Sequence, residues 1–294
     1  MATATATRTR SAEVPTRPRA FDWAQLRTYV QAAIILVWCL LPAYWMIVTA
    51  FRDVGFTFDS TFFFTHVTLD NFRTVFDTSL GNRFGQALLN SLFVAGVTTV
   101  IALVVGVFAA YALARLNFRF KFAIMGFILG ASMFPGVALI TPLFQLFTDI
   151  GWMGTYQALI IPNISFVLPL TVYTLTSFFR EMPWELEESA RIDGCTQGQA
   201  FRKVILPLAA PATFTTAILA FISAWNEFLI ASQLSSDATK TVTVAIASFA
   251  GSQPMQEPYT AVMAAGTIVT IPLVALVLIF QRKIVAGLTA GAVK

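Results

Sequence analysis

Covalent or metal chemistry on this chain would have to be built from very few groups. Its 294 residues hold one histidine, two cysteines and fifteen Asp or Glu. His66 has no second His and no Cys nearby, so no metal-ligating set is expected. Cys39 falls in an apolar run and Cys195 in a charged one, so no disulfide is expected between them. No nucleophile stands beside a base, and no catalytic residue is assigned. No Gly-Lys pair occurs, which excludes a phosphate loop of the GxxxxGK type. Any energy source must therefore come from another subunit. The charge that remains is concentrated in Pro183 to Pro207, PWELEESARIDGCTQGQAFRKVILP, which is bordered by long apolar segments.

That stretch reads as two short helices around a glycine. Pro183 suits a first helical turn, where its missing N–H is not needed. Glu185, Glu187 and Glu188 follow, where the positive end of the helix dipole favours carboxylates. Glu187 and Glu188 also precede Arg191 at spacings that let opposite charges meet on a helix surface. Gly194 supplies the left-handed conformation that ends a helix. Thr196 and Gln199 stand in capping-box relation for a second helix, whose apolar side holds Phe201, Val204 and Ile205 and which is expected to stop at Pro207.

The elements on either side are membrane spans. The chain is 57% hydrophobic and 12% charged, against about a quarter charged in soluble proteins. Six runs are long enough to cross a bilayer, roughly 29–50, 87–114, 122–144, 156–179, 208–231 and 259–281. The expected fold class is an all-α integral membrane protein with six transmembrane helices. With the amino terminus inside, every basic residue except Arg52, Arg73, Arg83 and Lys240 falls on the inner side, which places both termini and the 183–207 stretch in the cytoplasm. This distribution also accounts for the net charge of +4 without nucleic acid. The expected division is a cytoplasmic tail at 1–28, a transmembrane domain at 29–281 that includes the 183–207 loop, and a second tail at 282–294. Residues 1–20 lack the large apolar side chains that build a core, and read as disordered. The long outer connection at 51–86 should contain short helices, one of them beginning near Asp70 and Asn71 and running through Phe76.

Polar residues within the spans are candidates for a path. Pro135, Pro142, Pro162 and Pro169 interrupt the third and fourth spans, and the carbonyls they free must be met by neighbouring helices or water. Ser132, Thr141, Asn163, Ser165 and Tyr173 fit a wet path or interhelical hydrogen bonds equally. Glu227 is the one ionisable residue placed inside a span, where a carboxylate costs about 2.5–3.5 kcal/mol. It faces protein or water, or lies at the outer interface if the span ends as early as Leu229. Trp225, Asn226 and Glu227 offer an aromatic face and hydrogen-bonding groups, but residues about 100° apart on a helix cannot all share one face.

Glu188-Ser189-Ala190, three residues, Gly194, nine residues and Val204-Ile205-Leu206-Pro207 resemble the EAA loop of permease subunits in binding-protein-dependent ABC importers. Ser189 stands where that signature has Ala, and Val204 where it has Ile. The resemblance extends from about Asp70 to Lys294. Leu69 to Arg73 is similar to the family's outer helix, Asn90-Ser91 to its Asn-Ser pair, Trp225 to Leu229 to its sugar-permease branch, and Gln281 to Lys294 to the tail of maltose-type permeases. It implies a type I importer fold with a cytoplasmic coupling helix, in which Glu187, Glu188, Ser189, Ala190, Asp193, Gly194, Phe201, Leu206 and Pro207 couple to an ATPase. Asn163, Tyr173, Trp225, Asn226 and Glu227 are then the translocation-pathway candidates. The implied partners are a second permease, two ATP-binding subunits, an extracytoplasmic sugar-binding protein, membrane lipid and a sugar. No cofactor would be held by this chain, and ATP with Mg would be used by the partner ATPase. A glucose disaccharide such as trehalose or maltose is the implied substrate. A permease for glycerol phosphate and an ion-coupled secondary transporter are the alternatives, the latter opposed by the lack of an internal repeat and of several intramembrane ionisable groups.

Overall fold

The computed structural model describes residues 23–249 and 258–290. The chain divides into two units, residues 1–45 and 46–294. The expected disordered stretch at residues 1–20 lies outside the described residues, as do the last four residues of the carboxyl-terminal tail. In chain order the helices are α1 (Trp23–Ala50), α2 (Asp70–Phe76), α3 (Phe84–Arg115), α4 (Lys121–Ser132), α5 (Gly136–Asp149), α6 (Tyr156–Glu181), α7 (Glu185–Ile192) and α8 (Gln197–Ala200). A π-helical turn, Phe201–Ile205, leads into α9 (Leu206–Leu208), followed by α10 (Ala210–Trp225), α11 (Leu229–Leu234), α12 (Val242–Ala247) and α13 (Tyr259–Ala290).

Among the described residues four helices are long and apolar enough to cross a membrane alone, within Gln25–Ala50, Phe84–Arg115, Tyr156–Glu181 and Tyr259–Gln281. The number rises to six if each of two bent pairs counts as one span. One pair is α4 with α5, which meet at 88°, so the run at 122–144 is interrupted as expected. The break falls at Pro135, whose backbone is extended, whereas Pro142, Pro162 and Pro169 are accommodated inside α5 and α6. The second pair bends by 69° between Leu208 and Ala210. The run expected at 208–231 is therefore shorter than its apolar length, because α10 ends at Trp225. At the far end of the chain α13 continues past residue 281 to Ala290, so most of the expected tail is the last turns of the helix.

Within the larger unit α3 packs along α6, α10 lies against both, and α13 packs on α10 and α2. At about 48 Å, α3 outreaches the roughly 30 Å hydrocarbon layer, so both of its ends lie where polar partners are needed. Its middle depends on a close approach. A Cβ on Gly106 would stand 2.6 Å from Thr171 Cγ2 of α6, so the two helices can touch only because this residue has no side chain.

The 51–86 connection holds the helix expected at Asp70 and two short 3₁₀ turns, Val54–Phe56 and Thr78–Leu80. Arg52 organises its first half and is fully buried. Its guanidinium donates to the carbonyls of Asp59 and of Thr61, the latter at 2.7 Å. The buried Asn71 amide donates to Ala50 O at 2.9 Å and Arg52 O at 2.7 Å, tying α2 to the end of α1.

Candidate functional site: the 183–207 loop and its seat on the end of the third helix

Gly194 has φ +89°, in the left-handed region that the turn between α7 and α8 requires. The capping box is present: the Gln199 N–H donates to Thr196 Oγ1 at 3.3 Å, and the Thr196 N–H to Gln199 Oε1 at 2.8 Å. One detail of the expected loop differs. Pro183 lies two residues before α7 and does not open it. The second helix ends at Leu208, one residue past Pro207. Proline cannot donate there, and the Leu206 N–H instead reaches back to Phe201 O, widening one turn into a π-helix that carries the chain on toward α10.

The loop has two faces. Glu187, Ala190, Ala200, Phe201 and Ile205 are buried, while Glu188, Ser189, Arg191, Asp193, Gly194 and Pro207 are exposed and Leu206 is half-buried. The buried face rests on the Arg115 end of α3 and the Glu181 end of α6. The Phe201 ring lies 4.4 Å from the Tyr111 ring and 5.8 Å from that of Phe108, within a cluster completed by Val107, Leu175 and Phe179. Burying a phenylalanine and an isoleucine here contributes about 1.5–3 kcal/mol each.

Polar contacts cross the same seam. The Tyr111 hydroxyl donates to Glu187 Oε1 at 2.8 Å, and Arg115 Nη2 donates to Met182 O at 2.8 Å. The Arg115 guanidinium also lies 4.4 Å above the Trp184 ring. Glu187 and Arg115 are each only 5% exposed, yet among the described residues Glu187 Oε2 and Arg115 Nε and Nη1 meet no hydrogen-bond partner. Sequence reasoning missed both Tyr111 and Arg115. The outward face is a shallow depression lined by Glu188, Arg191, Ile192, Cys195, Thr196 and Gln197, with Ile192 86% exposed at its rim.

The pathway candidates are not gathered into one site. On α6, Asn163 is buried and its amide donates to Leu159 O at 3.1 Å, whereas Tyr173, about 15 Å further along the helix, is exposed. Trp225 is 1% exposed and its indole N–H meets no acceptor. Asn226 is exposed and donates to Ile222 O at 2.8 Å, closing α10. Glu227 lies beyond that helix, in the break before α11. Its two oxygens accept from the N–H groups of Ile230 at 2.7 Å and Ala231 at 3.0 Å, so the carboxylate caps α11.

At the opposite end of α3, Asn90 and Ser91 form a second junction. The Asn90 amide donates to Ala238 O at 2.9 Å and Lys240 O at 3.0 Å, and its oxygen accepts from the Tyr156 hydroxyl at 2.8 Å. Ser91 Oγ accepts from the Val242 N–H at 2.8 Å.

A bundle of long and broken apolar helices, with an amphipathic loop seated on one end, marks the chain as an integral membrane protein. A family model described as binding-protein-dependent transport system inner membrane component matches residues 102–289. The chain is 48% identical over 279 residues to a trehalose transport system permease protein of Mycobacterium tuberculosis, covering 94% of this chain and 98% of that one. It is 41% identical over 267 residues to a trehalose/maltose transport system permease protein of Thermococcus litoralis, covering 90% and 95%. Its fold matches a chain in the crystal structure of a bacterial ABC transporter involved in the import of alginate, with a TM-score of 0.72 at 21% identity, covering 92% of this chain and 99% of that chain. The chain belongs to the family of inner-membrane components of binding-protein-dependent transport systems, and its fold is that of an ABC importer permease.

Proposed function

We propose that this chain is the permease subunit of an ATP-driven ABC importer for a sugar, a glucose disaccharide such as trehalose or maltose, and that it forms half of the translocation pore. A second permease supplies the other half, two ATP-binding subunits supply the motor, and an extracytoplasmic binding protein delivers the sugar. The chain itself is non-catalytic. It spans the plasma membrane with both termini in the cytoplasm, as the inner placement of most of its basic residues supports. The substrate class is supported by the trehalose and maltose relatives, to which the chain is similar over nearly its whole length.

The observation that carries the mechanism is the two-faced 183–207 loop. Its inner face is buried on α3 and α6, while Glu188, Ile192 and Gly194 are presented outward. A motor subunit that engages the outward face moves the helices beneath it, and rocking them alternates access to the pore between the two sides. The test is uptake of radiolabelled trehalose and of maltose into proteoliposomes holding the complete complex, with ion gradients collapsed. Uptake that follows internal ATP supports the proposal. Uptake that requires an ion gradient, or that this chain performs unaided, overturns it.

A further inference from the structure

Tyr111 and Arg115 are one turn apart on α3, and the loop beside them runs the opposite way, so that Tyr111 meets Glu187 while Arg115 meets Met182 and Trp184. This is a two-rung antiparallel ladder between the end of α3 and the segment from Met182 to Glu187, in which one rung reaches α7 itself and the other the residues that lead into it. Building on the coupling role proposed above, we propose that Tyr111, Arg115 and Glu187 are positioning residues that clamp α7 to α3, so that displacement of the loop moves α3 as one body. Phe201 supplies the apolar half of the joint by packing on Tyr111.

The clamp is poorly designed for stability alone. It buries a carboxylate and a guanidinium while leaving Glu187 Oε2 and Arg115 Nε and Nη1 without partners among the described residues. Replacing such buried charges with apolar groups of similar size is often neutral or stabilising. What apolar contact does not supply is direction. A hydroxyl on one carboxylate oxygen, and a guanidinium held to one carbonyl and stacked on one ring, fix the register of α7 along α3, whereas greasy surfaces can slide. The neighbouring glutamates thus divide the work: Glu187 points inward to the clamp, and exposed Glu188 remains available to the partner.

The test measures the distance between spin labels on Leu89→Cys and Ile192→Cys, both exposed positions, in the assembled complex with Cys39 and Cys195 replaced by serine. It is read with and without a non-hydrolysable ATP analogue. The clamp predicts one narrow distance peak in both conditions. In Tyr111→Phe/Arg115→Met/Glu187→Met that single peak is lost, while the melting temperature of the complex is unchanged or raised. Glu187→Gln retains the peak, because its amide oxygen still accepts from the Tyr111 hydroxyl. An unchanged peak in the triple variant overturns the clamp and leaves the coupling role standing. A broadened peak that comes with a matching fall in melting temperature overturns the positioning role in favour of plain stability. Failure of ATP-binding subunits to co-purify with the unsubstituted chain overturns the coupling role, and the clamp with it.

Discussion

The two ends of α3 are held in opposite ways. At the Asn90 end neutral side chains bond mostly to backbone: Asn90 to two carbonyls and a tyrosine hydroxyl, Ser91 to a backbone N–H, with each contact between 2.8 and 3.0 Å. At the Arg115 end two charged side chains are buried, each bonded to a neutral group, and among the described residues three of their polar atoms have no hydrogen-bond partner. Satisfied neutral bonds resist displacement, because breaking them leaves buried groups unmet and nothing new is gained. The charged joint instead fixes direction, with one Glu187 oxygen held by the Tyr111 hydroxyl and the Arg115 guanidinium held by one carbonyl and stacked on one ring. One helix is thus anchored by neutral bonds at one end and clamped to the loop at the other, as a lever requires.

The contrast can be broken most severely in the middle. Gly106→Leu forces α3 and α6 apart where a Cβ alone would already lie 2.6 Å from Thr171. Overpacking typically costs about 1–3 kcal/mol, and here the loss of folded protein after detergent extraction is expected to exceed that of every other variant. Asn90→Ala leaves Lys240 O and the Tyr156 hydroxyl without this partner, while Ala238 O keeps its bond from the Gln86 amide, and a cost of about 1–2 kcal/mol is expected. Its melting temperature should fall while transport per assembled complex is retained. The reverse outcome would show that the Asn90 end is not a passive lock.

Effects no larger are expected in the loop. Gly194→Ala places a side chain at φ +89°, which costs about 1–2 kcal/mol. Open space around the Cβ means that no clash adds to this. The expected result is normal assembly with reduced transport per complex, measured by uptake normalised to bound ATP-binding subunit. Thr196→Ala removes the capping box of α8 at a cost of about 0.5–2 kcal/mol. Its effect should be confined to the loop and seen as faster amide exchange at Gln199.

What could be foreseen from sequence was local. Gly194, the Thr196–Gln199 box and the helix at Asp70 each depend on residues within a turn of one another, and the structure has all three. The joint beneath the loop was hidden because Tyr111 and Glu187 are 76 residues apart. A glutamate on a helix rich in glutamates looks solvated until its partner is seen. Hydropathy likewise gave no sign that Glu227 lies outside a helix. The apolar run continues past Trp225 into Phe228 and Leu229, but Asn226 closes α10 and Glu227 caps α11, so the chain breaks inside a continuous apolar stretch. Nor does sequence distinguish the proline that breaks a span from those a helix absorbs. Pro135 does the first, and Pro142, Pro162 and Pro169 the second.

The proposed coupling role is tested most directly by cross-linking from Ile192→Cys, at the rim of the outward face, with Cys39 and Cys195 replaced by serine, in the intact membrane complex. The expected adduct is with an ATP-binding subunit, and its formation should stop ATP-driven trehalose uptake. Adducts that never include that subunit, or uptake that proceeds at full rate with the link in place, would contradict the role given to the 183–207 loop.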